Sequence, residues 1–352
     1  EPKLWYSTGV LSLDIVLGGG LAGGRVSVWY GEENVGKSTI LYTAIAEAQK
    51  RHPVGWHDFH VIADPEQSAR DAKKHMELLG VDTSRVYIIA PSGGVPMYAE
   101  DIFERIEWLL RKPELKGRIG IIGIDSVAAL VSMEEGEKDK KWSKSARVGG
   151  IAPLLTRFLQ IVVDNGLLEE SGGHLFLLNQ VRENIGDIWN PVRMVGGRKL
   201  RHVASQIIEV TRSLTDFKNP NYDGKENTRE AQFIGQRIKF RQVKSKVGGK
   251  LGATASVDFY YDKGLDLLLN EIQVAMQYGI VVQNGAWLLF IDTPTGEIVL
   301  KEQGMDRFKK ALSDKETYAK FNYLLNYTVR GLEVKSVIND WEQIKQEEIT
   351  IS

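Results

Sequence analysis

Cysteine is missing from all 352 residues, which rules out disulfides and thiolate metal sites and fits a reducing compartment. No uninterrupted apolar run approaches the roughly 20 residues that a membrane span requires, and no basic, apolar and small-residue leader opens the chain. Membrane and secretory readings are thereby set aside in favour of a soluble, cytoplasmic globular protein. Neither sign of charge dominates: 45 Lys and Arg balance 46 Asp and Glu for a net charge of -1. Any polyanion must therefore be met by a local patch rather than by an overall basic coat. The six histidines show no metal-ligand spacing, and the chain contains no internal repeat or low-complexity tract. What it has in quantity is hydrophobic residues, 43% of the total, enough to bury a large core or a core with a satellite.

Short apolar runs recur at RVSVWY (25–30), FHVIA (59–63), VYIIA (86–90), IGIIGI (119–124), HLFLL (174–178) and QIIEVT (206–211). Continuous rather than alternating hydrophobicity predicts strands buried on both faces. Between them lie helical patterns: Ile40, Leu41, Ala44, Ile45 and Ala48 share one face, and DIFERIEWLL (101–110) repeats the period. Strands alternating with helices predict an α/β fold with a mostly parallel, twisted sheet. Near Gly264 the texture changes to LDLLLNEIQVAMQYG, a hairpin-like GAWLLFIDTPTGEIVL and charged helices. The expected organisation is a lead-in at 1–24, a core at 25–264 and a small α/β domain at 265–352.

GEENVGKS (31–38) lies between a predicted strand and a predicted helix and matches G-x-x-x-x-G-K-[ST]. Gly31, Glu32, Glu33, Asn34, Val35, Gly36, Lys37, Ser38 and Thr39 are expected to cradle the phosphates of ATP. Backbone N–H groups and the helix N-terminus supply positive potential there. Lys37 reaches the β and γ oxygens, and Ser38 ligates Mg²⁺. A chance glycine turn is the bland alternative. Asp125 ends the run IGIIGIDS (119–126) and, at the carboxyl edge of the sheet, would hold the metal through water; it could equally cap the next turn. ADPEQ (63–67) offers Asp64 and Glu66 at the same edge. Glu66 is the candidate to polarise the attacking water, with helix capping as the alternative for either acid.

Together these pieces resemble the RecA family of homologous-recombination ATPases. STGVLSLDIVLGGGLAGGRV (7–26) resembles the family's lead-in, and ADPE, GIDSVAAL (123–130), LLNQVR (177–182), VKSK (243–246) and NGAW (284–287) follow in the family's order. The resemblance implies a P-loop ATPase core that binds ATP and Mg²⁺, self-associates into a helical filament with ATP at the protomer interface, and acts on single- and double-stranded DNA. Mediator and single-strand-binding proteins are further implied partners. A bacterial cell or a phage-infected host is the implied setting. The family's N-terminal assembly helix and strand are expected to be absent from this chain, which starts at Glu1. A ring-forming helicase and a non-hydrolysing, ATP-regulated assembly module are the rival readings.

The resemblance further implies that Gln180 senses the γ-phosphate and couples it to a DNA-binding loop closed by Gly196 and Gly197. In that loop Arg182, Arg193, Arg198 and Lys199 suit phosphates, and Ile188 and Trp189 suit unpaired bases. A second DNA loop is expected in MEEGEKDKKWSKSAR (133–147), with Lys140, Lys141, Lys144 and Arg147 around Trp142, and Arg157 nearby. Solvated charge runs would look alike. Lys244 and Lys246 resemble the pair that reaches a neighbour's triphosphate; solvent-facing strand residues are the alternative. Lys301, Arg307, Lys309 and Lys310 of the last domain suit duplex DNA or a solvated helix face. Departures point to a divergent or phage-encoded member: Arg198 stands where asparagine is usual, and only His75 offers itself where the family stacks a tyrosine on adenine.

Overall fold

A computed structural model describes residues 4–66, 69–91, 97–134, 151–183, 192–194, 197–220 and 232–330. The strands β1 (Trp5–Tyr6) and β2 (Leu21–Ala22) pair antiparallel and tie down the lead-in. The six apolar runs become β3 (Val26–Gly31), β4 (Phe59–Ala63), β5 (Val86–Ile89), β6 (Ile119–Ile124), β7 (His174–Glu183) and, after the short β8 (Val192–Met194), β9 (Gln206–Lys218). With β10 (Phe233–Ser245), β11 (Thr254–Tyr260) and β12 (Gly264–Leu265) they form one sheet in the order β5-β4-β6-β7-β3-β9-β10-β11-β12. The run from β5 to β9 is parallel, and the extension from β9 to β12 is antiparallel.

Side chains alternate across the pleat and fill both faces. Val26 and Val28 of β3 join the core beneath the helices Ala99–Arg111 and Ile151–Leu159, where Phe103 and Phe158 stack at 4.3 Å. The alternate residue Trp29 stacks on Phe176 at 4.8 Å instead, and its indole N–H donates to Ser27 Oγ at 2.8 Å. The antiparallel extension behaves differently: β10 alternates buried Ile238, Phe240 and Gln242 with exposed Lys239, Arg241 and Val243.

The helix Lys37–Arg51 departs from the one-faced pattern its apolar period predicts, because Tyr42, Thr43, Ala46 and Gln49 are buried as well. Two segments cover its outer side. Gly9 of the lead-in sits so close that a Cβ there would lie 2.6 Å from Thr43 Cγ2, and Gln49 exchanges hydrogen bonds with the backbone of Asp82 at 2.9 and 3.0 Å. The lead-in motif is itself a polar clamp. Asp14 accepts from Ser7 Oγ at 2.5 Å, Thr8 N at 2.8 Å and Thr8 Oγ1 at 2.7 Å, and is 4% exposed.

The chain divides into two compact units, residues 1–265 and 266–352. In the second, Asp266 caps the helix Leu267–Gln277 by accepting from Leu269 N at 3.1 Å. A three-stranded antiparallel sheet, β13 (Val281–Asn284), β14 (Trp287–Asp292) and β15 (Glu297–Gln303), includes the predicted hairpin. The helices Met305–Leu312 and Lys315–Arg330 follow, and Phe290, Phe308, Phe321 and Leu325 form the unit's core. No described helix is long and apolar enough to cross a membrane.

Candidate nucleotide site

Strand register collects the predicted nucleotide residues at one edge. Gly31 pairs with Gln180 across β3 and β7, Ile124 pairs with Leu177 across β6 and β7, and Ala63 pairs with Ile124 across β4 and β6. Asp64 and Asp125 are the next residues along their strands, so the phosphate loop, both acids and Gln180 share the carboxyl edge of the parallel sheet. Ligands of open α/β sheets bind along this edge. The amide of Asp125 donates to Ala63 O and that of Asp64 to Ile89 O, each at 2.9 Å, which fixes both acids to the strand ends.

Asn34 (φ 57°) and Gly36 (φ 92°) adopt the left-handed region, and this turns the loop into the N-terminus of the helix Lys37–Arg51. Lys37 is buried and folds back onto the loop, donating to Gly31 O at 3.0 Å and to Glu32 O. Burial lowers its pKa, opposed by the nearby carboxylates of Asp125, Glu33, Glu32 and Glu66. Ser38 Oγ donates to Asp125 Oδ2 at 2.5 Å. Burial pushes the Asp125 carboxyl up to about 6, partly countered by the Ser38 hydrogen bond and reinforced by Asp64 and Glu66. A hydroxyl and a carboxylate in contact, with further acids beside them, are hard oxygen donors that fit Mg²⁺, and a cation there would relieve the repulsion that raises Asp125.

Glu66 is exposed at the edge, and its Oε1 accepts from Ser126 Oγ at 3.2 Å. Asp64, 1% exposed, instead accepts from the Glu66 amide at 3.1 Å, a local turn contact ahead of the helix Ala69–Leu78 rather than the helix cap that was the alternative. Of the two acids, Glu66 is the one whose carboxylate is presented to solvent.

These groups line a cavity of about 790 Å³. It also takes in His75, Arg212 of β9, Gln236 of β10, Phe259 of β11 and Tyr261. The last four escape sequence reasoning because they lie roughly 180–230 residues beyond the phosphate loop, and only the pairing of β9 with β3 and the antiparallel extension from β9 bring them back to it. The three consecutive aromatics in VDFYY are a signal without a local context. Gln236 Nε2 donates to Asn34 O at 3.2 Å and so braces the loop. Phe259 and Tyr261 meet edge to face at 5.8 Å, and His75 packs edge to face on Tyr42 at 5.1 Å.

The stretch 179–201, which shows no strand or helix period, contains both. β7 continues to Glu183, and β8 folds back on it antiparallel, setting Arg182 opposite Arg193. The helix Gly197–Val203 then starts at a glycine with φ 75°. Cross-strand pairing, rather than periodicity, makes this stem. Arg198 is exposed, while Lys199 Nζ is held by Asp164 Oδ2 at 2.7 Å. Arg157 is exposed on the helix Ile151–Leu159. Lys140, Lys141, Trp142, Lys144, Arg147, Ile188, Trp189 and Gly196 lie outside the described residues. In the second unit Lys309 is paired with Asp266 at 2.5 Å, whereas Lys301, Arg307 and Lys310 are exposed, Lys301 Nζ lying 5.0 Å from the Trp287 ring centroid.

Lys244 and Lys246 stand apart from the cavity. Ser245 pairs with Gln206, which itself pairs with Ser27 near the start of β3, so both lysines occupy the amino edge of the sheet, opposite the phosphate loop. Lys244 Nζ donates to Arg201 O at 2.5 Å and to His202 O at 3.2 Å, and Lys246 Nζ to His202 O at 2.7 Å. Cations at the carbonyl end of a helix are favourably placed. Burial lowers the pKa of Lys244, with Lys246 adding to the effect.

A family model described as the RecA N-terminal domain matches residues 4–266. Protein RecA of Aquifex aeolicus (strain VF5) is 34% identical over 309 residues, covering 87% of this chain and 78% of that protein. Protein RecA of Chlorobaculum tepidum is 33% identical over 313 residues (88% and 79%), and that of Trichormus variabilis is 32% identical over 314 residues (89% and 77%). With the phosphate-loop motif, the strand-end aspartate Asp125 and the strand bearing Gln180 brought to one sheet edge in the expected order, and with likeness over most of its length, the chain belongs to the RecA family.

Proposed function

We propose that the protein is a DNA-dependent ATPase that assembles into helical filaments on single-stranded DNA and catalyses homologous pairing and strand exchange in a bacterial cell or phage-infected host. Recombination and DNA repair are the function its family membership supports. The observation that carries the finer reading is the placement of Lys37, Ser38, Asp125, Glu66 and Gln180 on one edge of the sheet, with Lys244 and Lys246 on the other. A head-to-tail stack of protomers brings such edges together.

In this reading Lys37 leaves the loop carbonyls to neutralise the β and γ phosphates, and the loop amides orient them. Ser38 and, through water, Asp125 would hold Mg²⁺, which would supply positive charge against that of the phosphates. Glu66 polarises the attacking water from its exposed position beside Ser126. Lys244 and Lys246 of one copy stabilise the transition-state charge at the cavity of the next, so turnover depends on assembly. Gln180, at the root of the β7–β8 stem, links the presence of a γ-phosphate to the DNA loop. The loops grip backbone and base faces without regard to sequence, and Watson–Crick pairing supplies the sequence test.

Electron microscopy of the protein on single-stranded DNA with Mg²⁺ and a slowly hydrolysed ATP analogue tests this. Continuous helical filaments are expected; closed rings would place the chain with the helicases, and bare DNA would refute filament formation by this chain.

A further inference from the structure

The cavity is negatively charged before any nucleotide enters. Among the described residues lining it, five carboxylates face two fixed cations, Lys37 and Arg212, an excess of three negative charges. Two of the five, Glu32 and Glu33, belong to the phosphate loop itself and are exposed. Lys37 is at the same time engaged by the carbonyls of Gly31 and Glu32, so its charge is partly screened by loop dipoles. A magnesium triphosphate retains net negative charge and meets a field of its own sign. The cations that could reverse that field, Lys244 and Lys246, sit on the opposite edge of the sheet and cannot reach the cavity of their own protomer.

We propose that Glu32 and Glu33 make nucleotide binding conditional on assembly: they weaken ATP binding by a lone protomer, and a second copy lifts that penalty by presenting Lys244 and Lys246. This rests on the reading that the two lysines act in trans. Across a water-filled cleft, one unit charge several ångströms from the phosphates changes affinity by roughly five- to tenfold. The pair therefore keeps ATP off free protomers and admits it where copies meet. Because the effect is electrostatic and acts through solvent, it weakens as ionic strength rises.

The test is titration of a fluorescent ATP analogue in Mg²⁺ buffer against the unsubstituted protein, the E32Q/E33Q variant and the K244A/K246A variant, each with and without single-stranded DNA, at low and high salt. The unsubstituted protein is expected to bind at least tenfold more tightly on DNA. E32Q/E33Q is expected to bind at least tenfold more tightly than it without DNA, with the advantage shrinking at high salt and a correspondingly smaller gain on DNA. A DNA-free affinity within twofold of the unsubstituted protein would overturn the proposal. So would a weaker one, since the carboxylates would then be helping to hold the metal. A full DNA-induced gain in K244A/K246A would instead refute the trans role of the lysines, whatever the glutamates do.

Discussion

At the phosphate loop a single carboxyl shows burial and neighbouring acids outweighing an adjacent lysine. Asp125 is raised from 3.8 to about 6, so between about pH 4 and pH 6 the nucleotide-free folded protein holds a proton there that the unfolded chain has already released, and at neutral pH the carboxylate is charged. The favourable contribution is complete below about pH 4 and is lost as pH rises through about 6, where the carboxylate must ionise inside the fold. Asp125→Asn keeps an acceptor for Ser38 and removes the charge. It is expected to stabilise the nucleotide-free protein at pH 8 by on the order of 2–3 kcal/mol, and to lose that advantage near pH 4. Thermal melts across pH check this, and an unchanged melting temperature at pH 8 would remove the burial argument. The grouping of Lys37, Ser38 and Asp125 at one cavity was legible in the sequence because the motif fixes residue type and spacing. Arg212, Gln236, Phe259 and Tyr261 were not, because no local spacing relates them to the loop.

Among the elements, β7 has the most to transmit. Its buried stretch pairs with β3 and β6, Gln180 lies beside Gly31 at the cavity, and the strand then runs on into the stem with β8. One continuous strand thus joins the cavity edge to the stem with β8. Gln180→Ala shortens the side chain at the junction without touching the core. It is expected to leave nucleotide binding within a few-fold of the unsubstituted protein while cutting DNA stimulation of ATPase by tenfold or more, as loss of a coupling of about 1.4 kcal/mol or more requires. ATPase measured with and without DNA decides it; intact stimulation would show that the switch lies elsewhere. The six core strands could be read from their apolar runs, which burial on two faces demands. The stem could not, since β8 is three residues long and, among the described residues, pairs with β7 alone. The helix Lys37–Arg51 was read as one-faced for a similar reason: the lead-in and the segment around Asp82 that cover its other side are distant in sequence or lack any periodic sign of the contact.

For the whole molecule, the decisive feature is the separation of the phosphate loop and the Lys244–Lys246 pair onto opposite edges of one sheet. If each complete site takes its loop from one protomer and its lysines from the next, two inactive variants can complement. In an equal mixture of E66Q and K244A/K246A, about one quarter of randomly formed interfaces join an intact loop side to intact lysines. ATPase on single-stranded DNA is therefore expected to recover to about one quarter of the unsubstituted value, although neither variant alone turns over appreciably. No recovery would show that the lysines serve their own protomer or none.

The order of motifs along the chain was sufficient to determine the α/β class, the phosphate-loop motif between strand and helix, and the family resemblance. Each of these depends on local backbone geometry or on burial that leaves a periodic trace. The tertiary structure alone decided which side chains close the cavity from β9 to Tyr261, that Asp64 turns the backbone while Glu66 faces solvent, and that Lys244 and Lys246 lie at the far edge of the sheet. Those are consequences of strand order and direction. In a sheet assembled from distant segments, hydrogen-bond register between strands sets order and direction, and periodicity within a strand carries no record of it.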